Sequence, residues 1–208
     1  VLAAAGVPTG RTVACASADD ARAAATAMGF PVVVKAAARD LPHKSDAGGV
    51  VLGVAGPDEA AAAFTRVVEA ARAAGAAVEG AIVQRQAAPG TEMIVGVRRE
   101  AELGLCLVAG LGGVQAELLG DVARRLLPLA EGDARAMLDE LRLSPLLHGH
   151  RGAPGADLGA VAAAIEGVAA AAEAVGPDLE ALEVNPLIAR PDGVVAVDAL
   201  LLLRNGGR

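Results

Sequence analysis

The sequence predicts an α+β fold built from two small lobes. The chain has 208 residues, which is the usual size of one large domain or of two small lobes. Its hydrophobic content of 54% is sufficient for a buried core. Stretches with the periodicity of strands are mixed with helical stretches along the whole chain, which favours the α+β class.

The first half of the chain predicts two helices and two strands. Ser17 is a suitable N-cap for a helix with acidic residues in its first turn, and Gly29 ends that helix. The β-branched run that follows from Pro31 predicts a strand, and GVVLGVA at residues 49–55 predicts a second one. The next helix begins at Pro57, because proline is favoured at the first helical position.

The second half predicts further strands and one long apolar helix. Strands are indicated at residues 80–86 and 91–99, with a turn at AAPG between them, and at LGLCLVAG. After residue 156, apolar side chains recur at steps of three and four, which indicates a buried helical stripe. This stripe consists of Leu158, Val161, Ile165, Val168, Ala172 and Val175.

Residues 180–203 predict a β-hairpin with polar side chains on one face. Pro191 and Gly193 occupy the second and fourth positions of a turn, and β-rich runs lie on each side. Because alternate residues of a strand share a face, Glu183 and Asn185 lie together. The opposite face carries apolar side chains that we expect in the core: Leu182, Val184 and Ile188.

The register of this hairpin decides where Asp198 lies. A two- or four-residue loop centred on residues 191–192 places Asp198 opposite Asn185, whereas a three-residue loop with a bulge pairs it with Pro186. The second register buries an unpaired carboxylate, so we favour the first, which collects Glu183, Asn185 and Asp198 on one face. Their oxygens suit Mg²⁺ carried with a polyphosphate, although the pattern also fits a solvated polar face.

The segment DLPHKSDAGGVVLGV places a charged loop between two strands. Backbone N–H groups at Gly48 and Gly49 can approach an anion closely, and Lys44 adds positive charge beside them. The loop therefore fits a phosphate flap, or alternatively an ordinary polar turn. It lacks the GxxxxGK[ST] pattern of a P-loop, and GLGGVQ fails GxGxxG at Gln115, so a Rossmann site is not indicated.

Composition excludes several partners. The net charge of −7 argues against a nucleic-acid or anionic-membrane surface. Charged residues interrupt the longest apolar segment, and no signal peptide is visible, so a cytoplasmic protein without a membrane span is expected. Cys15 and Cys106 fit small buried residues in a reducing compartment. The chain starts at Val1 within an apparent helix, which we interpret as a fragment of a longer protein.

Several ordered segments together resemble one known family: GFPVVVKA, HKSDAGGVVLGV, GTEMIVGVRRE, GLGGVQAELLGDVARRLLPL, GHRGAP, LEVNPL and VDALLLL. The chain resembles the ATP-grasp domain of NDP-forming (ADP-forming) acyl-CoA synthetases, which is related to the β-subunit of succinyl-CoA synthetase. This resemblance implies two α+β lobes that clamp ATP or ADP with Mg²⁺. It assigns residues 1–83 to an N-terminal lobe with a phosphate flap at 40–50. Residues 84–208 form the C-terminal lobe, with the metal-site hairpin at 180–203.

The resemblance also implies roles for individual residues. The nucleotide or phosphate site would contain Lys35, Lys44, Ser45, Gly48, Gly49, Val83, Gln84, Gln86, Glu92 and Glu117. Residues 83–86 resemble an interlobe hinge whose backbone pairs with adenine, whereas Glu92 and Glu117 could instead form ion pairs that stabilise a lobe. Glu183, Asn185 and Asp198 resemble the Mg²⁺ ligands of the family, in agreement with the register favoured above.

His43 resembles a phosphoryl carrier. In multi-subunit members of the family, a phosphoryl group formed on a histidine of the CoA-binding half is relayed to ADP, and the histidine of HKSD is implicated as a second carrier. A neutral imidazole nitrogen is a nucleophile near pH 7, and Lys44 can stabilise the transferred charge. The alternative is that His43 only hydrogen-bonds the flap closed.

Three functions follow from the resemblance. The first is a phosphoryl-transfer module of an acyl-CoA synthetase, coupled to a CoA-binding domain or subunit that carries a phosphohistidine. The second is a non-catalytic, ligand-sensing ATP-grasp domain of a protein-lysine acetyltransferase. The third is an ATP-grasp ligase that works through an acylphosphate without His43. Ala109, Gln115 and Ala116 depart from the family pattern on the nucleotide side.

Overall fold

The computed structural model describes residues 1–38, 47–112, 120–150, 152 and 154–204, and these residues form two compact units. One unit is Gly10–Ala87, and the other combines Val1–Thr9 with Ala88–Arg208. In each unit an antiparallel sheet packs against helices, which confirms the predicted α+β class.

The first unit, Gly10–Ala87, is a four-stranded antiparallel sheet with two helices on one face. Its strands, in the order β1-β4-β2-β3, and its helices are β1 (Thr12–Cys15), β2 (Val32–Ala38), β3 (Val50–Val54), β4 (Val78–Arg85), α1 (Ala18–Met28) and α2 (Pro57–Ala73). The predicted N-cap of α1 is confirmed, because the Ser17 hydroxyl accepts from the Asp20 N–H at 3.1 Å and the Asp20 carboxylate accepts from the Ser17 N–H at 3.0 Å.

The second unit is built on a larger antiparallel sheet in the order β10-β8-β5-β6-β7, with β9 paired to β8. Its elements are β5 (Thr91–Glu100), β6 (Gly104–Leu111), β7 (Val122–Leu126), α3 (Asp133–Glu140), α4 (Ser144–His148), α5 (Leu158–Val175), β8 (Leu179–Arg190), β9 (Gly193–Ala196) and β10 (Ala199–Leu203). The sequence patterns did not predict β7, α3 and α4 as separate elements.

Helix α5 supplies the centre of the second core. The predicted stripe is confirmed, since Val161, Ile165, Val168 and Ala172 are completely buried and the two end residues are partly buried. Among the described helices, α5 alone is long and apolar enough to cross a membrane. Its buried stripe in the core of this unit identifies it as a core helix.

The first nine residues belong to the second unit. They contain a single 3-10 turn, Ala3–Ala5, where the sequence indicated part of a helix. Val7 is 1% exposed in the second core, and the Ala196 N–H donates to the carbonyl of Pro8 at 2.8 Å. The observed units therefore differ from the expected division at residues 83 and 84, because contacts distant in sequence attach the N-terminal segment to β9.

Candidate nucleotide and metal site

The β8–β9 hairpin has the register that places Asp198 opposite Asn185. Arg190 pairs with Gly193, so the loop consists of residues 191–192, and the same register continues along β9. Beyond the end of β9, the Asn185 N–H donates to the carbonyl of Asp198 at 3.1 Å. The register predicted from the turn residues and from the cost of burying a carboxylate is confirmed.

This register places Asp198 opposite Asn185 of β8, and the side chain of Asn185 contacts Glu183 on the same strand. The amide nitrogen Nδ2 of Asn185 donates to Oε1 of Glu183 at 3.3 Å. Oδ1 of Asp198 accepts from the Ala199 N–H at 3.1 Å. Asn185 is exposed, whereas Glu183 and Asp198 are partly buried, so their oxygens can be reached by a ligand.

The prediction that Ile188 shares the core face with Val184 is wrong. Val184 pairs with Val95 of β5, but Leu187 pairs with Met93, so β8 contains one extra residue between these two pairs. A bulge of this kind shifts the alternation of side chains by one position. Leu187 consequently occupies the core, and Ile188, although 8% exposed, lies outside it.

A cleft of about 420 Å³ adjoins Glu183 on the outer face of the second sheet. Gly96 pairs with Glu183, and a Cβ at this glycine would lie 3.4 Å from the carbonyl of Leu182. No sequence pattern considered above predicted this cleft, although a glycine inside a strand often marks a close approach of a ligand or another backbone. Its apolar lining includes Ile94, Val108, Leu200 and Leu202.

Lys35 lies on the face of the first sheet that points away from α1 and α2. The adjacent residues Val34 and Ala36 are completely buried in the core with the helices, so alternation places Lys35 on the other face. Lys35 is itself only 7% exposed and pairs with Val50, the first residue of β3. The carbonyl of Gly49 accepts from the Ala36 N–H at 2.8 Å, so this glycine extends the β2–β3 pairing.

The predicted hinge residues have different environments. Val83 is completely buried in the first core, and Gln84 is 4% exposed on the same sheet face as Lys35. The side-chain oxygen of Gln86 accepts from the Gly53 N–H at 2.7 Å. The backbone at residues 83–86 leads to the boundary between the units at Ala87.

The structure describes only some of the remaining predicted site residues. His43, Lys44, Ser45 and Glu117 lie outside the described residues, as does most of the predicted flap at 40–50. Gly48 is exposed in a turn, and Glu92 is exposed on β5. The carbonyl of Glu92 accepts from the Gly112 N–H at 2.7 Å, next to the segment that contains Glu117.

The donor set at β8 fits Mg²⁺ by its chemistry. Across the described ranges, no three His, Cys, Asp or Glu side chains lie together as a metal-binding group. The predicted set, Glu183, Asn185 and Asp198, is of a different kind, because one of its three donors is an amide oxygen and the other two are carboxylates. These are hard oxygen donors, and Mg²⁺ is commonly held by one or two carboxylates together with substrate phosphates.

The antiparallel sheets, the hairpin and the ordered motifs define the class of protein. The family model of the ATP-grasp domain matches residues 1–203, and the chain therefore belongs to the ATP-grasp family. It is 41% identical over 195 residues to a trans-feruloyl-CoA synthase from an unknown prokaryotic organism, which covers 90% of this chain and 27% of that protein. It is 32% identical to the β subunit of ADP-forming acetate–CoA ligase II from Pyrococcus furiosus, over 98% of this chain and 88% of the subunit.

Solved structures of an archaeal synthetase have the same fold. Acetyl-coenzyme A synthetase 1 of Ca. Korarchaeum cryptofilum, in complex with coenzyme A, Ca-AMPCP and HgCl+, is 34% identical with a TM-score of 0.93, over 98% of this chain and 89% of that one. Its complex with coenzyme A and Mg-AMPPCP gives a TM-score of 0.83 at 32% identity, over 98% and 88% of the two chains, and its phosphohistidine segment points towards the nucleotide-binding site. This chain spans about a quarter of the length of the feruloyl-CoA synthase.

Proposed function

We propose that this chain is the nucleotide-binding, phosphoryl-transfer module of an ADP-forming acyl-CoA synthetase. The reaction of the whole protein would be acyl-CoA + ADP + Pi to acid + ATP + CoA, in either direction. The observation that carries the proposal is the register of the β8–β9 hairpin, which sets Asp198 opposite Asn185, whose side chain donates a hydrogen bond to Glu183. The ligases and synthetases to which the chain is similar support the same activity.

Glu183, Asn185 and Asp198 would hold Mg²⁺ together with the phosphates of ADP or ATP. The bound ion would neutralise phosphate charge during transfer. The complex of the Korarchaeum synthetase with Mg-AMPPCP supports the choice of Mg²⁺ and of an adenine nucleotide as the bound species. The Asn185–Glu183 hydrogen bond would hold both side chains in place before the nucleotide arrives.

Positive charge and backbone donors of the first unit would bind the phosphates. Lys35 would supply a cation, and Lys44, Ser45, Gly48 and Gly49 would add donors from the flap. Residues 83–86 would pair with adenine through the backbone. Glu92 and Glu117 would lie near the phosphate end.

His43 would act as the phosphoryl carrier. A neutral imidazole nitrogen of His43 would attack the phosphorus of a phosphohistidine on the partner domain, forming one N–P bond while the donor N–P bond breaks. A terminal oxygen of ADP would then attack the same phosphorus, and His43 would leave as neutral imidazole. The partner is therefore a CoA-binding domain or subunit with its own phosphohistidine, as the Korarchaeum complexes support.

The regulatory alternative, an ATP-grasp domain in a protein-lysine acetyltransferase, has no support among the named relatives, which are ligases and synthetases. The acylphosphate alternative would leave phosphoryl transfer independent of His43, and a His43→Asn variant separates the two. A cytoplasmic location without nucleic-acid or membrane partners stays a prediction from composition.

The test is a calorimetric titration of the chain with ADP and ATP, with and without Mg²⁺. The variants Asn185→Ala and Asp198→Ala remove one oxygen donor each, so we expect Mg²⁺-dependent affinity to fall by about tenfold or more, on the order of one strong polar contact. Asp192→Ala is the matched control, since this carboxylate lies in the turn of the same hairpin and pairs with Arg190.

Equal affinities in all three variants and the wild type would contradict the metal assignment. A wild-type chain that is folded but binds neither nucleotide would contradict the nucleotide-binding role of the isolated module. Acid-labile phosphate that appears on the wild type but not on His43→Asn, after incubation with ATP and Mg²⁺, would support the carrier role.

A further inference from the structure

Gln86 connects two segments of the first unit through its side chain and its backbone. Its side-chain oxygen accepts from the Gly53 N–H at 2.7 Å, and its own N–H donates to the carbonyl of Pro31 at 3.2 Å. Pro31 precedes β2, and Gly53 lies inside β3. Gln86 directly follows Arg85, the last residue of β4. In the sheet, β2 lies between β4 and β3, so the side chain of Gln86 spans β2 to reach β3.

The Gly53 N–H is available to the Gln86 side chain because β3, the edge strand of this sheet, contains a bulge. Val34 pairs with Val51, whereas Val32 pairs with Val54, so β3 has one more residue than β2 in this interval. Gly53 has φ of +70°, which is the left-handed region that favours glycine. A bulge leaves a backbone group without its ladder partner, and an amide oxygen from a side chain can replace that partner.

The bulge determines how the start of β3 meets Lys35. In the observed register, Val50 pairs with Lys35, and the carbonyl of Gly49 accepts from the Ala36 N–H. A slip of one residue would turn every side chain of β3 to the other face and would move the loop glycines relative to Lys35. Whatever holds the bulge therefore also holds the glycines of the predicted phosphate loop.

We propose that Gln86 is a positioning residue for phosphate binding. Its side chain satisfies the bulge at Gly53 and thereby keeps the loop glycines beside Lys35, without contacting the nucleotide itself. This assignment rests on the proposed nucleotide-binding function, and it adds a side-chain role to the backbone contact with adenine that the resemblance implies for residues 83–86. The loss of Gln86 should weaken the recognition of phosphate and leave the recognition of the nucleoside intact.

The experiment compares the affinities of Mg·ADP and adenosine in the wild type, Gln86→Met and Gln86→Glu. Methionine keeps the length of the side chain but removes the acceptor, so we expect Mg·ADP to bind about threefold to tenfold more weakly, the range of one hydrogen bond, with adenosine affinity unchanged. Glutamate keeps an acceptor oxygen at the same position and should restore the affinity for Mg·ADP. Hydrogen exchange at the Gly53 amide should be faster in Gln86→Met alone.

Gly53→Ala tests the same contact from the other strand. Nothing lies within 4 Å of the added Cβ, so the chain should fold, but φ of +70° disfavours alanine and should displace the bulge. We expect the same selective loss of Mg·ADP affinity. This variant keeps the proposal testable if Gln86→Met does not fold.

Each contrary result has a separate meaning. Unchanged Mg·ADP affinity in Gln86→Met would overturn the positioning role, and an equal loss for adenosine and Mg·ADP would assign Gln86 to the nucleoside instead. A folded wild type that binds neither ligand would refute the proposed function, and the positioning role with it. Unchanged exchange at Gly53 would refute the contact on its own.

Discussion

The guanidinium of Arg125, on β7, lies between two carboxylates of α3. Its Nε atom is 3.3 Å from Oδ1 of Asp133, and a second nitrogen donates to Glu140. The hydrogen bond from Arg125 lowers the pKa of the Glu140 carboxyl below its usual value. The pair joins a strand to a helix on the surface of the second unit.

The stability that this pair contributes should disappear in acid. A carboxyl whose pKa is lowered by folding stabilises the folded state above its unfolded pKa, which is about 4.3 for glutamate. That contribution is lost as the pH falls through the lowered pKa of the folded state. We therefore expect Glu140→Gln to lower the melting temperature at pH 7 by at most about a few degrees, as for other exposed pairs.

The measurement is the melting temperature of both proteins between pH 7 and pH 2.5. The difference between them should shrink towards zero at the acid end of this range. Glu131→Gln, at an exposed glutamate that precedes α3, is the control and should follow the wild type throughout. A difference that stays constant with pH would show that the Glu140 side chain acts through packing and not through its charge.

Arg99 connects the end of α5 to the start of β8. Its Nε donates to the carbonyl of Leu179 at 2.9 Å, and a second nitrogen donates to the carbonyl of Gly176 at 2.8 Å. These carbonyls lie in the segment that leaves the helix, where acceptors lack helical partners. One side chain on β5 therefore holds the connection between the core helix and the hairpin strand.

Arg99→Met should destabilise the chain by about 2 kcal/mol, the range for hydrogen bonds from a charged donor. Arg98→Met is a matched control, because the adjacent side chain is exposed on the other face of β5 and should change stability by less than about 0.5 kcal/mol. Urea denaturation of both variants measures the difference. Equal losses of stability in Arg99→Met and Arg98→Met would show that the substitutions act through the strand and not through the two carbonyl contacts of Arg99.

The N-terminal segment, Val1–Thr9, completes the core of the second unit. Val7 is 1% exposed, and its Cγ2 atom would lie 2.7 Å from a Cβ at Gly167, so the segment packs directly on α5. Thr9 forms a parallel bridge with Ala196. The core of the second unit therefore depends on the first nine residues of the chain.

Val7→Ala should cost about 2 kcal/mol, since it removes buried methyl groups and leaves a cavity. This core belongs to the second unit. The substitution should therefore increase the rate of hydrogen exchange at the amides of β5 and β8 and leave the rate at the amides of β2 and β4 unchanged. Val1→Ala, at a residue that is 62% exposed, should change neither. Faster exchange in both units would show that they unfold as one cooperative body.

Features that depend on neighbours along the chain were predictable from the pattern of residues. Turn chemistry at Pro191 and Gly193, together with the cost of burying Asp198, predicted the register of the hairpin, because loop length fixes strand pairing locally. Helical periodicity predicted the buried stripe of α5, and the ordered motifs predicted the ATP-grasp family.

Features that depend on residues far apart in the chain became visible only in the folded protein. The bulge in β8 places Leu187 in the core at the position expected for Ile188, because the pairing of β8 with β5 shifts by one residue there. The contact between Gln86 and Gly53 joins residues separated by 33 positions, and the N-terminal residues joined a unit that resumes at Ala88. No local pattern encodes such contacts, since they form only when separate elements compete for the same core or the same backbone partner.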